Sequence, residues 1–151
     1  MEVRLREVRQ SDLEWINKIR NDYQVSKFLN LFCPQSLDEE IAWFSNDKDN
    51  EVHFAIERSD EEWQIVGQVS LVGYKKKDRK AELTIFLHPN AWGQKIGTTA
   101  TKLMTHYGFT QLNLNKIFLH CYSNNERAYR LYQKLGFESE GVLRDFVYKD
   151  G

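Results

Sequence analysis

Long apolar runs are missing from this chain, and so are internal repeats and low-complexity tracts. No stretch approaches the roughly 20 apolar residues that a membrane helix needs, so no membrane partner is expected. Proline is scarce: Pro34 and Pro89 are the only ones, and no proline-rich linker divides the chain. Cysteine is equally scarce. Cys33 and Cys121 lie far apart with no Cys-x-x-Cys pair, which excludes the spacing of a disulfide framework or a thiolate metal site. His53, His88, His106 and His120 have no ligand spacing with the cysteines or with one another, so no metal is expected. Excess charge is absent too, since 21 basic and 22 acidic side chains leave a formal charge of −1. Nucleic-acid binders show a basic excess or a basic face. The one basic run, Lys75-Lys76-Lys77 before Asp78, reads as a solvated hairpin tip, so no nucleic-acid partner is expected. Met1-Glu2-Val3-Arg4 begins at once with strand-like alternation, with no targeting segment, and a cytoplasmic protein is the expectation.

What is present is an ordinary globular mixture of 41% hydrophobic and 28% charged residues. Its length of 151 residues suits one core and is too short for two, so residues 1–151 read as one domain. Val3, Leu5 and Val8 among charges read as a half-buried strand. Ser11-Asp12-Leu13-Glu14 has the form of a capping box ahead of Leu13, Ile16 and Ile19, and Ser36-Leu37-Asp38-Glu39 repeats it ahead of Ile41, Ala42 and Phe44. Two short helices are expected there, with a further turn near Val25 to Leu29. Alternation over Glu51–Glu57, Ile65–Tyr74 and Ala81–Leu87, broken by polar turns, predicts an antiparallel meander ended by Pro89.

The period then changes. Ile96, Ala100, Leu103, Met104 and Tyr107 fall on one face of a helix running to about Leu112. Ile117 to Cys121 reads as a short strand, parallel to Ala81–Leu87 because a helical crossover joins the two. Asn124 or Asn125 caps a second helix with Ala128, Leu131, Tyr132 and Leu135 inward and Gly136 at its end. Phe137 and Val142 to Tyr148 read as one more strand. The chain stops inside a hairpin-like turn, Tyr148-Lys149-Asp150-Gly151, that expects a returning strand. That strand is either missing from this chain or supplied by a neighbour, and exchange of it makes a homodimer the expected state. The fold class is α/β: a mixed, mostly antiparallel sheet with helices on both faces and its final strand apparently missing.

Trp92-Gly93-Gln94-Lys95-Ile96-Gly97-Thr98-Thr99 joins strand to helix, where free amides and the helix dipole suit a phosphate. The glycines alone equally describe an ordinary tight turn, because Walker and Rossmann spacings do not match. A second stretch is more specific: Asn125-x-x-Ala128-x-x-x-Tyr132-x-Lys134-x-Gly136-Phe137. Together these segments resemble the GNAT family of N-acetyltransferases, whose cofactor loop is written Arg/Gln-x-x-Gly-x-Gly/Ala. Trp92-x-x-Lys95-x-Gly97 occupies those places, with Lys95 where a glycine is usual. The stretch Tyr107 to Gly141 resembles bacterial spermidine acetyltransferases, while Arg20-Asn21-Asp22 with Val25 and Phe28 resembles the ribosomal-protein and nucleotide-sugar-amine branches.

The resemblance implies acetyl-CoA as co-substrate, with its pyrophosphate at Gln94 to Thr99 and backbone contacts from Phe86 and Leu87 beside a bulged strand. It implies direct transfer to a primary amine without an enzyme-bound intermediate. Asn125 either holds the pantetheine arm or only caps its helix. Arg127 is either a 3′-phosphate contact or a solvated helix residue. Tyr132 would protonate the leaving thiolate, or else serve as a core tyrosine. Glu82 would deprotonate the amine, or else be a solvent-facing strand residue. The acceptor is a polyamine, an amino sugar or a protein N-terminus, and a polyamine would need carboxylates such as Asp38, Glu39 and Glu40. The rival from another class is a CoA-binding regulatory module without turnover.

Overall fold

The computed structural model describes residues 1–30, 34–46 and 48–151; Cys33 lies outside them. Among the described residues five strands form one open sheet in the order β1-β2-β3-β4-β5. β1 (Glu2–Glu7), β2 (Val52–Ser59), β3 (Trp63–Lys75) and β4 (Lys80–Leu87) are antiparallel neighbours. β5 (Lys116–Phe118) lies parallel to β4, as the crossover through α4 (Ile96–Thr110) requires.

α1 (Leu13–Asn21), α2 (Tyr23–Ser26) and α3 (Leu37–Ser45) lie on one face of the sheet, where the Trp43 ring meets His53 edge-on at 4.7 Å. α4 covers the other face and brings fully buried Ile96, Ala100 and Met104 against Ile56, Val69, Leu71 and Leu83. Each such side chain contributes about 1.5–3 kcal/mol by leaving water. Gly108 permits the approach, since a Cβ there would stand 2.8 Å from Ile117 Cδ1 and 2.9 Å from Leu71 Cδ1. Leu103, expected on this stripe, is 39% exposed, and Thr101 is buried instead.

Two charged residues redirect the N-terminal helices. The box expected at Ser11–Glu14 does not form, because Asp12 turns inward to the Arg6 guanidinium (2.6 Å) and the Arg9 amide (2.7 Å). A 3-10 turn, Gln10–Asp12, precedes α1 instead. The second box does form: the Glu39 amide donates to Ser36 Oγ at 3.1 Å and the Ser36 amide to Glu39 Oε2 at 2.8 Å. The buried residue of α3 is Glu40, paired with Arg20 at 2.9 Å, while Ala42 and Phe44 are exposed. A buried carboxylate is tolerable only with such a partner.

The strand read at Phe137 and Val142 to Tyr148 is not formed. Val142 is 82% exposed, Phe146 64% and Tyr148 88%. Alternation alone cannot hold a strand, because ladder hydrogen bonds need a neighbour, and here β5 keeps its outer edge unpaired. The segment is tied at its end, where Lys149 Nζ donates to the carbonyls of Ser26 (2.6 Å) and Leu29 (2.5 Å).

Candidate active site

A cleft of about 770 Å³ opens between β4, the start of α4 and α5 (Glu126–Lys134), with Val25 and Phe28 from the α2 region at its side. It exists because β4 and β5 pair for only three positions, Lys80–Lys116, Ala81–Ile117 and Glu82–Phe118. Beyond Glu82 the strands diverge, and Leu83 to Leu87 line the gap. The bulge expected in this strand is not recorded; the register shifts lie between Ile56 and Glu57 and between Val72 and Lys75. Early termination of β5 produces the opening instead.

At the floor, β4 ends in a 3-10 turn, Pro89–Ala91, and Trp92 Nε1 donates to the Leu87 carbonyl at 3.0 Å. Lys95 stands at the N-cap of α4 with φ +63°, a left-handed conformation that costs a non-glycine residue about 1–3 kcal/mol. That geometry is the physical reason for glycine at this place in the resembling loop. No side chain caps α4, so the first-turn amides of Ile96, Gly97 and Thr98 are left for an anion. Gly97 keeps the approach open: a Cβ there would meet Leu131 Cδ1 at 3.2 Å and Leu87 Cδ1 at 3.3 Å.

Phe86, Leu87, Trp92, Gly93, Lys95, Ile96, Gly97 and Thr98 line this cleft as the sequence implied. Gln94 and Thr99 do not. Gln94 is held outside by Arg58 (2.6 Å) and by the Asn90 carbonyl (2.7 Å), and Thr99 Oγ1 turns back to the Lys95 carbonyl (3.3 Å).

α5 forms the opposite wall. Asn125 caps it by accepting the Ala128 amide at 3.3 Å, so the capping role is realised while the residue still lines the cleft. Arg127 is not simply solvated: its guanidinium sits 3.7 Å over the Trp92 ring, across the loop mouth. Partial burial there lowers its pKa from the usual range. Gly136 (φ +89°) ends the helix, with Gly136 N–H to Gln133 O and Phe137 N–H to Tyr132 O, both 3.0 Å. These are the two bonds of a Schellman motif. Its apolar contact is Phe137 against Tyr132, ring centroids 5.7 Å apart, so the Gly-Phe pair fixes the Tyr132 side chain.

Burial, with a smaller electrostatic effect from Cys121, pushes the Tyr132 phenol well above its usual range. It therefore holds its proton at neutral pH, the state a proton donor needs. Burial likewise raises the Cys121 thiol, whose Sγ lies 3.7 Å from the Tyr122 and Asn125 carbonyls. A protonated buried thiol is not a poised nucleophile. On the β4 side, Glu82 Oε1 is 2.7 Å from His120 Nδ1, and both line the cleft. Sequence reasoning missed His120. Its signal is the register: Glu82 pairs with Phe118, which places His120 two residues further along the same side.

Among the described residues no three His, Cys, Asp or Glu side chains gather to hold a metal ion. No helix among them is long and apolar enough to cross a membrane.

An uncapped helix start, a parted strand pair and the Tyr132 phenol thus meet in one cleft. Residues 2–138 match the model of the acetyltransferase (GNAT) domain, and the chain belongs to the GNAT family. It is 32% identical to the spermidine N(1)-acetyltransferase of Escherichia coli K12 over 152 residues, covering 99% of this chain and 80% of that one. Vibrio cholerae spermidine N-acetyltransferase, solved with CoA and spermine, superposes with TM-score 0.93 at 28% identity, over 99% of this chain and 88% of that chain. A dodecameric form of the Vibrio enzyme in an intermediate state gives 0.82 at 28% identity, over 99% and 86%. The protein is an acetyl-CoA-dependent N-acetyltransferase acting on a primary amine.

Proposed function

We propose that the amine acceptor is a short polyamine such as spermidine or spermine. Relatives that match nearly the whole chain include spermidine N(1)-acetyltransferases, and a structural neighbour was solved with spermine beside CoA. The observation that carries the reaction is Tyr132 facing the same cleft as the uncapped start of α4 and the Glu82–His120 pair. CoA lies with its pyrophosphate on the Ile96–Thr98 amides and its pantetheine along the free edge of β4. Backbone donors near Leu87 meet the thioester oxygen. Tyr132 protonates the departing thiolate. Residues 1–151 act as one acetyltransferase domain in the cytoplasm.

A second reading, an amino sugar, is favoured by the acidic side chains. Glu40 is neutralised by Arg20, and Glu39 is bound to Ser36 in the helix cap. Among the described residues Glu82 and Glu126 are the cleft's carboxylates, and Glu126 is paired with Arg130 at 3.2 Å. A thiol-release assay across polyamines, amino sugars and amino-terminal peptides decides between them. Polyamine turnover at micromolar KM supports the first reading; turnover of amino sugars alone overturns it. The exposed apolar side chains at Val142, Phe146 and Tyr148 also support self-association, which sedimentation measures directly.

A further inference from the structure

Beyond the floor and the phenol, the cleft carries a second polar device. His120 is clamped on three sides. Glu82 Oε1 takes Nδ1 at 2.7 Å, Phe118 meets the ring edge-on at 6.0 Å, and Phe146 stacks on it at 6.0 Å and 18°. A carboxylate at Nδ1 makes that nitrogen the donor and leaves Nε2 as the basic lone pair. Nε2 makes no hydrogen bond among the described residues. The side chains are 49% and 31% exposed, so the pair is open to an incoming amine.

We propose that His120 Nε2 is the base that deprotonates the acceptor amine, and that Glu82 is a positioning residue that fixes the imidazole tautomer. The proposal rests on the amine-acetylation reading above. It departs from the expectation that the strand carboxylate itself takes the proton. Glu82 spends one oxygen on the imidazole, while the imidazole keeps Nε2 without a partner among the described residues.

The protons balance as follows. The ammonium loses one proton to Nε2, which passes it to water. The free amine then forms the C–N bond with the thioester carbon. As the C–S bond breaks, the sulfur takes the Tyr132 phenolic proton, and the second proton from nitrogen restores the phenol. One proton is released overall. Tyr132, Cys121 and Lys134 share the cleft wall with His120, and none of them is hydrogen-bonded to it. Glu138, Glu140 and Lys116 line the groove on its other side, with Lys116 and Glu140 paired at 2.8 Å.

The test is the pH profile of kcat/KM for the amine in three variants. His120→Asn keeps a donor for Glu82 and deletes Nε2. It should lose tenfold or more at pH 7, lose the acid-side inflection, and recover toward wild type at pH 9.5, where free amine is abundant. Glu82→Gln should lose less and move the inflection rather than erase it, and the double variant should be no worse than His120→Asn. If Glu82→Gln erases the inflection while His120→Asn keeps it, the carboxylate is the base and the proposal is wrong. Thermal shift with CoA checks each fold, and His120→Gln replaces any variant that fails it. Absence of amine-dependent thiol release by the wild-type protein overturns the transfer reading as well. An active wild type whose profile ignores His120 overturns this assignment alone.

Discussion

The two walls of the cleft differ in kind. The β4–α4 wall belongs to the main core: Leu83 is 2% exposed, and Ile96, Ala100 and Met104 are fully buried. The α5 wall has no buried residue at all, and Leu131 and Tyr132 are half-buried. Beyond it the chain runs exposed from Gly141 to Tyr148. Yet the phenol proposed as proton donor, Tyr132, lies on the looser side, while the tight side offers the uncapped amides at the start of α4. The division has a physical logic. A phosphate cradle built of amides needs a fixed helix start, which a dense core supplies. The acceptor side must admit a second substrate, and low local packing lets it open.

The largest expected effect tests that packing difference. Met104→Ala in α4 should cost about 2–5 kcal/mol of unfolding free energy in urea, as buried large-to-small changes do. Leu131→Ala in α5 should cost about 1 kcal/mol, since less area leaves water. Equal costs would mean that α5 belongs to the same cooperative core.

Next comes the functional counterpart. Tyr132→Phe should lower kcat by about tenfold or more, roughly 1.4 kcal/mol of barrier, with CoA affinity nearly unchanged. Calorimetric titration with CoA and steady-state rates across pH 6–9 separate the two quantities. A wild-type rate in the variant would make Tyr132 a packing residue.

The α5 wall and the far edge of the sheet should also titrate at opposite ends of the pH scale. In the 3-10 turn before α1 and on β2, burial opposes ionisation of Asp12 and Glu57, but Arg6 hydrogen bonds to both, with Arg4 also on Glu57, prevail and lower both pKa values. A depressed folded-state pKa stabilises the protein above the unfolded value of about 4, and this is lost as pH falls through the folded value. Tyr132 is raised by burial, so its contribution is present below about pH 10 and fades as pH rises further. Arg6→Met should flatten the acid limb of thermal stability, and Tyr132→Phe the alkaline limb.

The smallest effect is at the loop. Lys95→Gly relieves a left-handed backbone but adds unfolded-state entropy, so stability should rise by about 0.5 kcal/mol or less. CoA affinity should fall a few-fold if the Lys95 amine contributes a charge to the phosphates. Tighter binding would show that the side chain obstructs them.

Much of this was legible in the sequence because it is local. Period-2 alternation marked the meander, a helical period marked α4 and α5, and Ser36–Glu39, Asn125 and Gly136 marked their own caps. The cofactor loop and the Tyr132 stretch were legible as contiguous motifs. Local pattern failed where a distant charge or neighbour intervened. Asp12 and Glu40 became buried because Arg6 and Arg20 reached them. Val142 to Tyr148 alternates like a strand but lacks a ladder to join. The sequence by itself determined most of the strands and helices and the motif loop between β4 and α4, since hydrogen bonding and side-chain period act over a few residues. Tertiary structure alone decided the pairing of Glu82 with His120, 38 residues away, because only the parallel register of β4 and β5 brings them to 2.7 Å.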